Sequence, residues 1–251
     1  ATFFGILQKQ GKYDINKPAP IPEWQKDERK KITTNDLLHM NSGLEWEEAY
    51  DKICDATKML FIAEDMGRVQ LEKPAAFAPN THWNYSSGTS NLLSYILRKQ
   101  FKTHQEYLDF WYAQLIDRIG MHSMLIETDM VGNYVGSSYG WATARDWAKF
   151  GLLYLHKGNW NGDQVFDPSW ENYVSTPTND SKEGYGAHFW LNAGGHFPAA
   201  PRDMYSCNGY QGQKVFIIPS LDLVIVRMGL SDEGKYDVNE LLAGVIGSFK
   251  K

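Results

Sequence analysis

The sequence predicts an α+β protein in which helices are segregated from an antiparallel sheet. Three observations carry this. Helical periodicity and capping residues dominate the first two-thirds of the chain. Short β-type runs, "YGAHFWLN", "QKVFIIP" and "DLVIVRMG", crowd into the last third. A tight turn, "PSLD" (219–222), joins the last two as a hairpin. The reading is a mainly helical region over 1–182, then strands and a closing helix over 183–251. The two interleave as one domain, with the helical part packed on the sheet.

The elements follow in order. "FFGIL" is an apolar helix running into a polar end, with Gly11 as its stop. Nothing in the sequence before it supplies a cap, so it reads as a helix from the middle of a fold. "NKPAPIPEW" and the charged "KDERKK" form an irregular surface segment. "ITTNDLLHMNSGL" (32–44) is a short helix capped by Thr33 or Thr34, with Asp36 in its first turn and Gly43 left-handed at its end. Residues 45–72 read as largely helical, and the prolines of "KPAAFAPNTHW" break them. In "NYSSGTSN" (84–91), Ser86, Ser87 or Thr89 can cap the apolar helix "LLSYIL". An amphipathic helix spans 103–121 and another begins near Thr143. Asp167-Pro168 starts a short helix, and "YDVNELLAGVIGSFKK" closes the chain with one.

Composition narrows the function classes. The 251 residues are 43% hydrophobic and 22% charged, as in ordinary globular proteins. The net charge of -5 and the lack of a basic stripe argue against a nucleic-acid partner. The sequence has no run of about 18 apolar residues, so no membrane span is expected. The seven histidines show no i, i+4 pairing, and neither Cys54 nor Cys207 lies in a zinc-type spacing, so no metal is expected. The cysteines read as two free thiols or as one disulfide. Nine tryptophans within 14% aromatic residues suit either a large core or a ligand cleft.

Two stretches hold candidate chemistry. Tyr85 precedes a helix start, where free N–H groups and the positive end of the helix dipole favour a phenolate. A nearby ammonium would lower the phenol further and make it a general base toward a serine hydroxyl. From spacing alone, a packed aromatic is the commoner reading. "NGYQGQKVFIIP" runs small residues into a strand, where a backbone N–H could serve an oxyanion or where the chain simply turns. "GSSYG" (136–140) lacks the strand–turn–helix context of a nucleophile elbow.

Five blocks, in order, resemble the serine β-lactamase-related superfamily: class C β-lactamases, D-alanyl-D-alanine carboxypeptidases, related esterases and 6-aminohexanoate-dimer hydrolases. They are "GILQKQGKYDINKPAP", "ITTNDLLHMNSGLEW", "NYSSGTSNLLSYIL", "SSYGWATARDWAKFGLLYL" and "NGYQGQKVFIIPSLDLVIVRMG". The resemblance implies a class C-type β-lactamase-like fold whose sheet this chain completes only in part. It implies a cofactor-free hydrolase working through an acyl-enzyme, and it is compatible with export to the periplasm or cell envelope. By resemblance Tyr85 is the motif tyrosine, a proton shuttle, and Ser87 ends the Tyr-x-Asn motif. Tyr210-Gln211-Gly212 stands for Lys-Thr-Gly, with an oxyanion N–H near Gln211 or Gly212. Trp83, Ser86, Trp141 and Tyr210 are expected around an uncharged linear acyl substrate.

The chain departs from that pattern in three ways. No Ser-x-x-Lys precedes Tyr85, and the one match, Ser248-Phe249-Lys250-Lys251, lies on the closing helix. The nucleophile and its lysine are therefore expected upstream of Ala1, leaving this chain inactive by itself. Ser87 replaces Asn, and Tyr210-Gln211 lacks the cation of Lys-Thr-Gly. Both changes favour the esterase and amide-hydrolase branch over an efficient β-lactamase. The leading expectation is a serine hydrolase of ester or amide bonds. The alternatives are a non-catalytic ligand-binding or sensing module on the same scaffold, and a stable, inactive piece.

Overall fold

The computed structural model describes residues 1–232 and 235–249. They form two compact units, Ala1–Ala142 and Thr143–Lys251. That boundary puts the helix after Thr143 with the sheet.

In the first unit, α1 (Thr2–Lys9) ends at Gly11, whose φ is +66°. Two 3-10 turns, Pro22–Lys26 and Glu28–Lys31, occupy the Pro-rich and charged segment. Helix α2 (Thr34–Leu38) starts with a capping box, the Thr33 hydroxyl accepting from the Asp36 N–H while the Asp36 carboxylate accepts from the Thr33 N–H. The left-handed residue directly after it is Met40. Gly43 is left-handed too, but farther on, where its carbonyl accepts from the Ala76 and Phe77 N–H groups. A Cβ there would lie 2.2 Å from the Phe77 carbonyl oxygen, so glycine is required by close approach.

The stretch 45–72 is not one helix. It holds α3 (Asp55–Phe61) and α4 (Met66–Leu71), with 45–54 irregular. Cys54 and Asp65 start the helices as separate N-caps, and the Asp65 carboxylate accepts from the Arg68 N–H. Periodicity registered the apolar positions and missed these restarts.

Helix α5 (Ser87–Arg98) runs through the interior of this unit against α2 and α4. Leu92, Leu93, Ile96 and Leu97 fill the core. Its buried polar residues are satisfied: Ser94 bonds the Tyr107 hydroxyl and the Tyr134 carbonyl, and Asn91 donates to Ser137 and accepts from the Gly136 N–H. Helix α6 (His104–Trp111) starts at a Thr103–Glu106 capping box and continues into a π-type turn over Tyr112–Ile116. Strands β1 (Leu125–Ile126) and β2 (Gly140–Trp141), two residues each, pair antiparallel.

In the second unit, α7 (Ala144–Leu155) is capped by Thr143. A small hairpin, β3 (Asn159–Trp160) with β4 (Asp163–Gln164), and α8 (Ser169–Ser175) follow. The main sheet has the order β5-β6-β7-β8, all antiparallel: β5 (Trp190–Leu191), β6 (Tyr205–Gly209), β7 (Gln213–Ile218) and β8 (Leu223–Arg227). The "PSLD" hairpin is present, with Asp222 left-handed. Of "YGAHFWLN" only Trp190–Leu191 is strand. Alternation splits the sheet's faces. Val215 and Val224 meet α7 at Gly151, while Phe216 and Ile218 pack on Leu242 and Ile246 of α9 (Val238–Ser248). Lys250 and Lys251 of the Ser-x-x-Lys match lie outside the described residues. Both cysteines are free thiols. Among the described residues, no helix is long and apolar enough to cross a membrane.

Candidate active site

The entrance of α5 is built from two segments distant in sequence. Ser86 is its N-cap: the hydroxyl accepts from the Thr89 N–H at 2.9 Å and is 2% exposed, so it serves the helix start. Ser87, the first helical residue, gives both its donors to one carboxylate. Its N–H reaches Glu48 Oε2 and its hydroxyl Glu48 Oε1, each at 2.7 Å. The Trp46 indole N–H donates to Oε2 and the Tyr50 hydroxyl to Oε1, both at 2.8 Å. The irregular course of 45–54 delivers this carboxylate. The Asn84 side chain holds it down by donating to the Trp46 carbonyl at 3.1 Å. Gly88 is needed beneath, because a Cβ there would sit 2.5 Å from the Trp46 ring and 2.6 Å from Gln70 Oε1.

Tyr85 stands one residue before the cap. Burial, and then the Glu48 carboxylate, push its phenol up to about 12. The expectation of a phenolate favoured by the helix dipole is corrected here. A carboxylate already occupies the positive end of α5, and the field at Tyr85 keeps the phenol protonated. Glu48 was not visible in the sequence. It lies 39 residues from Ser87, among three glutamates within four positions, in a stretch whose periodicity suggested a helix.

The other candidates sit as follows. Trp83 is half-buried beside Asn84 and Tyr85 in the chain. Trp141, on β2, is 57% exposed and its indole N–H donates to Glu127 at 2.8 Å. In the second unit, Tyr210-Gln211-Gly212 is the turn between β6 and β7. Of the two readings the sequence left open for this stretch, the structure shows the turn. The strand residues beside it are Cys207, Asn208 and Gly209. Gln211 and Gly212 are left-handed, at φ +53° and +85°. The Gly212 carbonyl accepts from Arg227 at 2.7 Å and from the Tyr236 hydroxyl at 3.3 Å. The Gln211 carbonyl accepts from the Ser231 N–H at 3.0 Å. Burial pushes the Cys207 thiol up to about 12, which makes it a poor nucleophile.

The β-lactamase family model matches residues 1–241. The chain belongs to the β-lactamase family. That family consists of serine hydrolases, and the fold is β-lactamase-like. Among solved structures, the chain is similar to a Bacillus anthracis protein described as a 6-aminohexanoate-dimer hydrolase (20% identity, TM-score 0.76, 99% of this chain and 69% of that one). It is similar also to a family VIII carboxylesterase (15%, 0.72, 97% and 79%). A penicillin-binding protein from Bacillus halodurans matches at 18% and 0.68, covering 99% and 83%. At these identities the likeness speaks for the fold. A search of curated proteins found no match.

Proposed function

We propose that this β-lactamase-family chain carries the proton-transfer part of a serine hydrolase that cleaves an ester or amide bond through an acyl-enzyme. The observation that carries the reading is the family match over residues 1–241, with Tyr85 at the mouth of α5, where burial and then Glu48 push its phenol up to about 12. A phenol in that state donates a proton. In the proposed cycle a serine supplied upstream of Ala1 adds to the substrate carbonyl through Oγ, and its proton passes to the tyrosine–lysine pair. The carbonyl–leaving-group bond then breaks, and the leaving alcohol or amine takes a proton from Tyr85. Water releases the acyl group by the reverse proton path. The phenol serves as a base only when a cation offsets Glu48, and the upstream lysine implied by the resemblance would supply it. A backbone N–H of Gln211 or Gly212 as oxyanion donor is a separate proposal for the second unit. The substitution of Ser87 for Asn and the uncharged Tyr210-Gln211 favour ester or linear amide substrates over β-lactams.

The test treats this chain, and a version extended upstream of Ala1, with a fluorophosphonate probe followed by intact-mass analysis. The extended protein gains one adduct and this chain none, and Tyr85→Phe slows labelling by about a hundredfold. No adduct in either version rejects the hydrolase reading in favour of a non-catalytic binding module.

A further inference from the structure

We propose that Glu48 is a positioning residue for proton transfer at Tyr85, its carboxylate tying the Trp46 indole, the Tyr50 hydroxyl and both donors of Ser87 into one wall at the mouth of α5. The proposal rests on the reading of Tyr85 as the proton-transfer group.

The geometry separates Glu48 from the other carboxylates that cap helices in this unit. Asp36 serves Thr33, three residues away. Asp129 serves the Met66 N–H and its own turn at Asn133. Glu48 gathers four donors from two segments, two donors on each oxygen, all at 2.7 or 2.8 Å. A carboxylate has about four acceptor directions, and here all are taken. It cannot accept a proton from a reacting group without losing one of these bonds, so it is not the base. It is a fixed charge whose orientation is set before substrate arrives, the property that makes electrostatic assistance effective. Its donors are all neutral, and among the described residues it forms no salt bridge. Burial first, and then the Glu48 charge, raise the Tyr85 phenol, and Tyr85 in turn raises the Tyr50 phenol. The negative charge therefore adds to burial in holding the Tyr85 proton in place.

The two oxygens differ in a way that permits a clean test. Oε2 faces two N–H groups, which can only donate. Oε1 faces two hydroxyls, which can also accept. In Glu48→Gln the amide oxygen takes the Oε2 position and the amide NH2 donates to the hydroxyls. The wall is kept and the charge is removed.

The experiment follows the 13Cζ resonance of Tyr85 in tyrosine-labelled protein, assigned by Tyr85→Phe. At pH 11 the native Tyr85 is about one-tenth ionised and the Glu48→Gln protein about twofold more. Glu48→Asp keeps the charge but shortens the reach. It retains native ionisation of Tyr85, while the Ser87 amide exchanges with solvent at least about tenfold faster. Equal ionisation of Tyr85 in native and Glu48→Gln protein, with the Ser87 amide still protected, overturns the proposal. If Glu48→Gln loses that protection, Glu48→Asp decides: native exchange at Ser87 overturns the positioning role. In the extended protein, the pH profile of probe labelling moves about half a pH unit lower in Glu48→Gln. If the extended protein fails to label at all, the hydrolase reading fails, and the titration still judges Glu48.

Discussion

The mouth of α5 and the turn between β6 and β7 answer to the same family resemblance, yet they are built in opposite ways. At the α5 mouth the side chains do the bonding. Ser86, Ser87 and Trp46 are buried, Tyr50 lies at the surface, and they converge on a cap or a carboxylate. At the turn the backbone does it. Tyr210 is 75% exposed, while Arg227, Tyr236 and Ser231 hold the carbonyls of Gly212 and Gln211. Arg227 also stacks on Tyr236, 3.7 Å from its ring centroid. Side-chain identity should therefore matter most at the first place, and backbone conformation at the second.

The largest effect expected from this contrast is on Glu48. Glu48→Ala strands four donors at a partly buried helix start and should cost about 3 kcal/mol. Tyr210→Ala removes an exposed ring and should stay within about 0.5 kcal/mol. Urea unfolding of both variants checks this, and equal losses would break the contrast.

Glycines sharpen it next. Gly88→Ala drives a methyl into the Trp46 ring and should cost about 1–3 kcal/mol, partly recovered by Trp46→Leu. Gly212→Ala should cost about 1–2 kcal/mol through its φ of +85°, and no partner substitution recovers that. A Cβ at Gly212 would also lie 2.8 Å from both Arg227 Nη1 and Tyr236 Cε1, so Tyr236→Ala in the same background removes the steric part and leaves the conformational one. Thermal unfolding of the single and double variants separates a steric cause from a conformational one.

Alkali is the third lever. The Tyr85 phenol titrates near 12 in the folded state and near 10 in the unfolded chain. A raised folded value means the stabilisation is complete below pH 10 and is lost as pH climbs toward 12. At pH 11 the loss from Tyr85 should be about 1 kcal/mol, and Tyr85→Phe should flatten that part of the pH–stability curve. Tyr107, also held near 12 by burial, contributes in the same sense and remains in the variant. An unchanged slope in Tyr85→Phe would show that the phenol is not held protonated by its surroundings.

What the sequence revealed follows the range of the physics involved. Caps near Thr33 and Ser86 were readable, to within a residue or two, because donor and acceptor lie within three residues. Helix α5 was readable from its leucines. The role of Glu48 was not, because a carboxylate 39 residues away competes with nothing local. Strand β6, "YSCNG", was missed because Cys, Asn and Gly have weak strand preference, and pairing with β7 imposes the conformation. The conformation at Tyr210–Gly212 was left open for a related reason. A motif alignment fixes order along the chain, while the left-handed pair Gln211-Gly212 decides where the strand ends.

That pair supports the smallest and most specific prediction. Gln211 is a non-glycine residue at φ +53°, a conformation in which its Cβ crowds the backbone. Gln211→Gly removes that crowding but gives the unfolded chain more freedom, and the two effects oppose each other. If strain is the larger, the variant gains about 0.5 kcal/mol in chemical unfolding. The hydrogen bond from the Ser231 N–H to the Gln211 carbonyl uses backbone atoms only, so it survives and its amide stays protected from exchange. A loss of stability together with a loss of Ser231 protection would mean that the Gln211 side chain, rather than the backbone, organises the turn, and the contrast with the α5 mouth would fail at the point where it is sharpest.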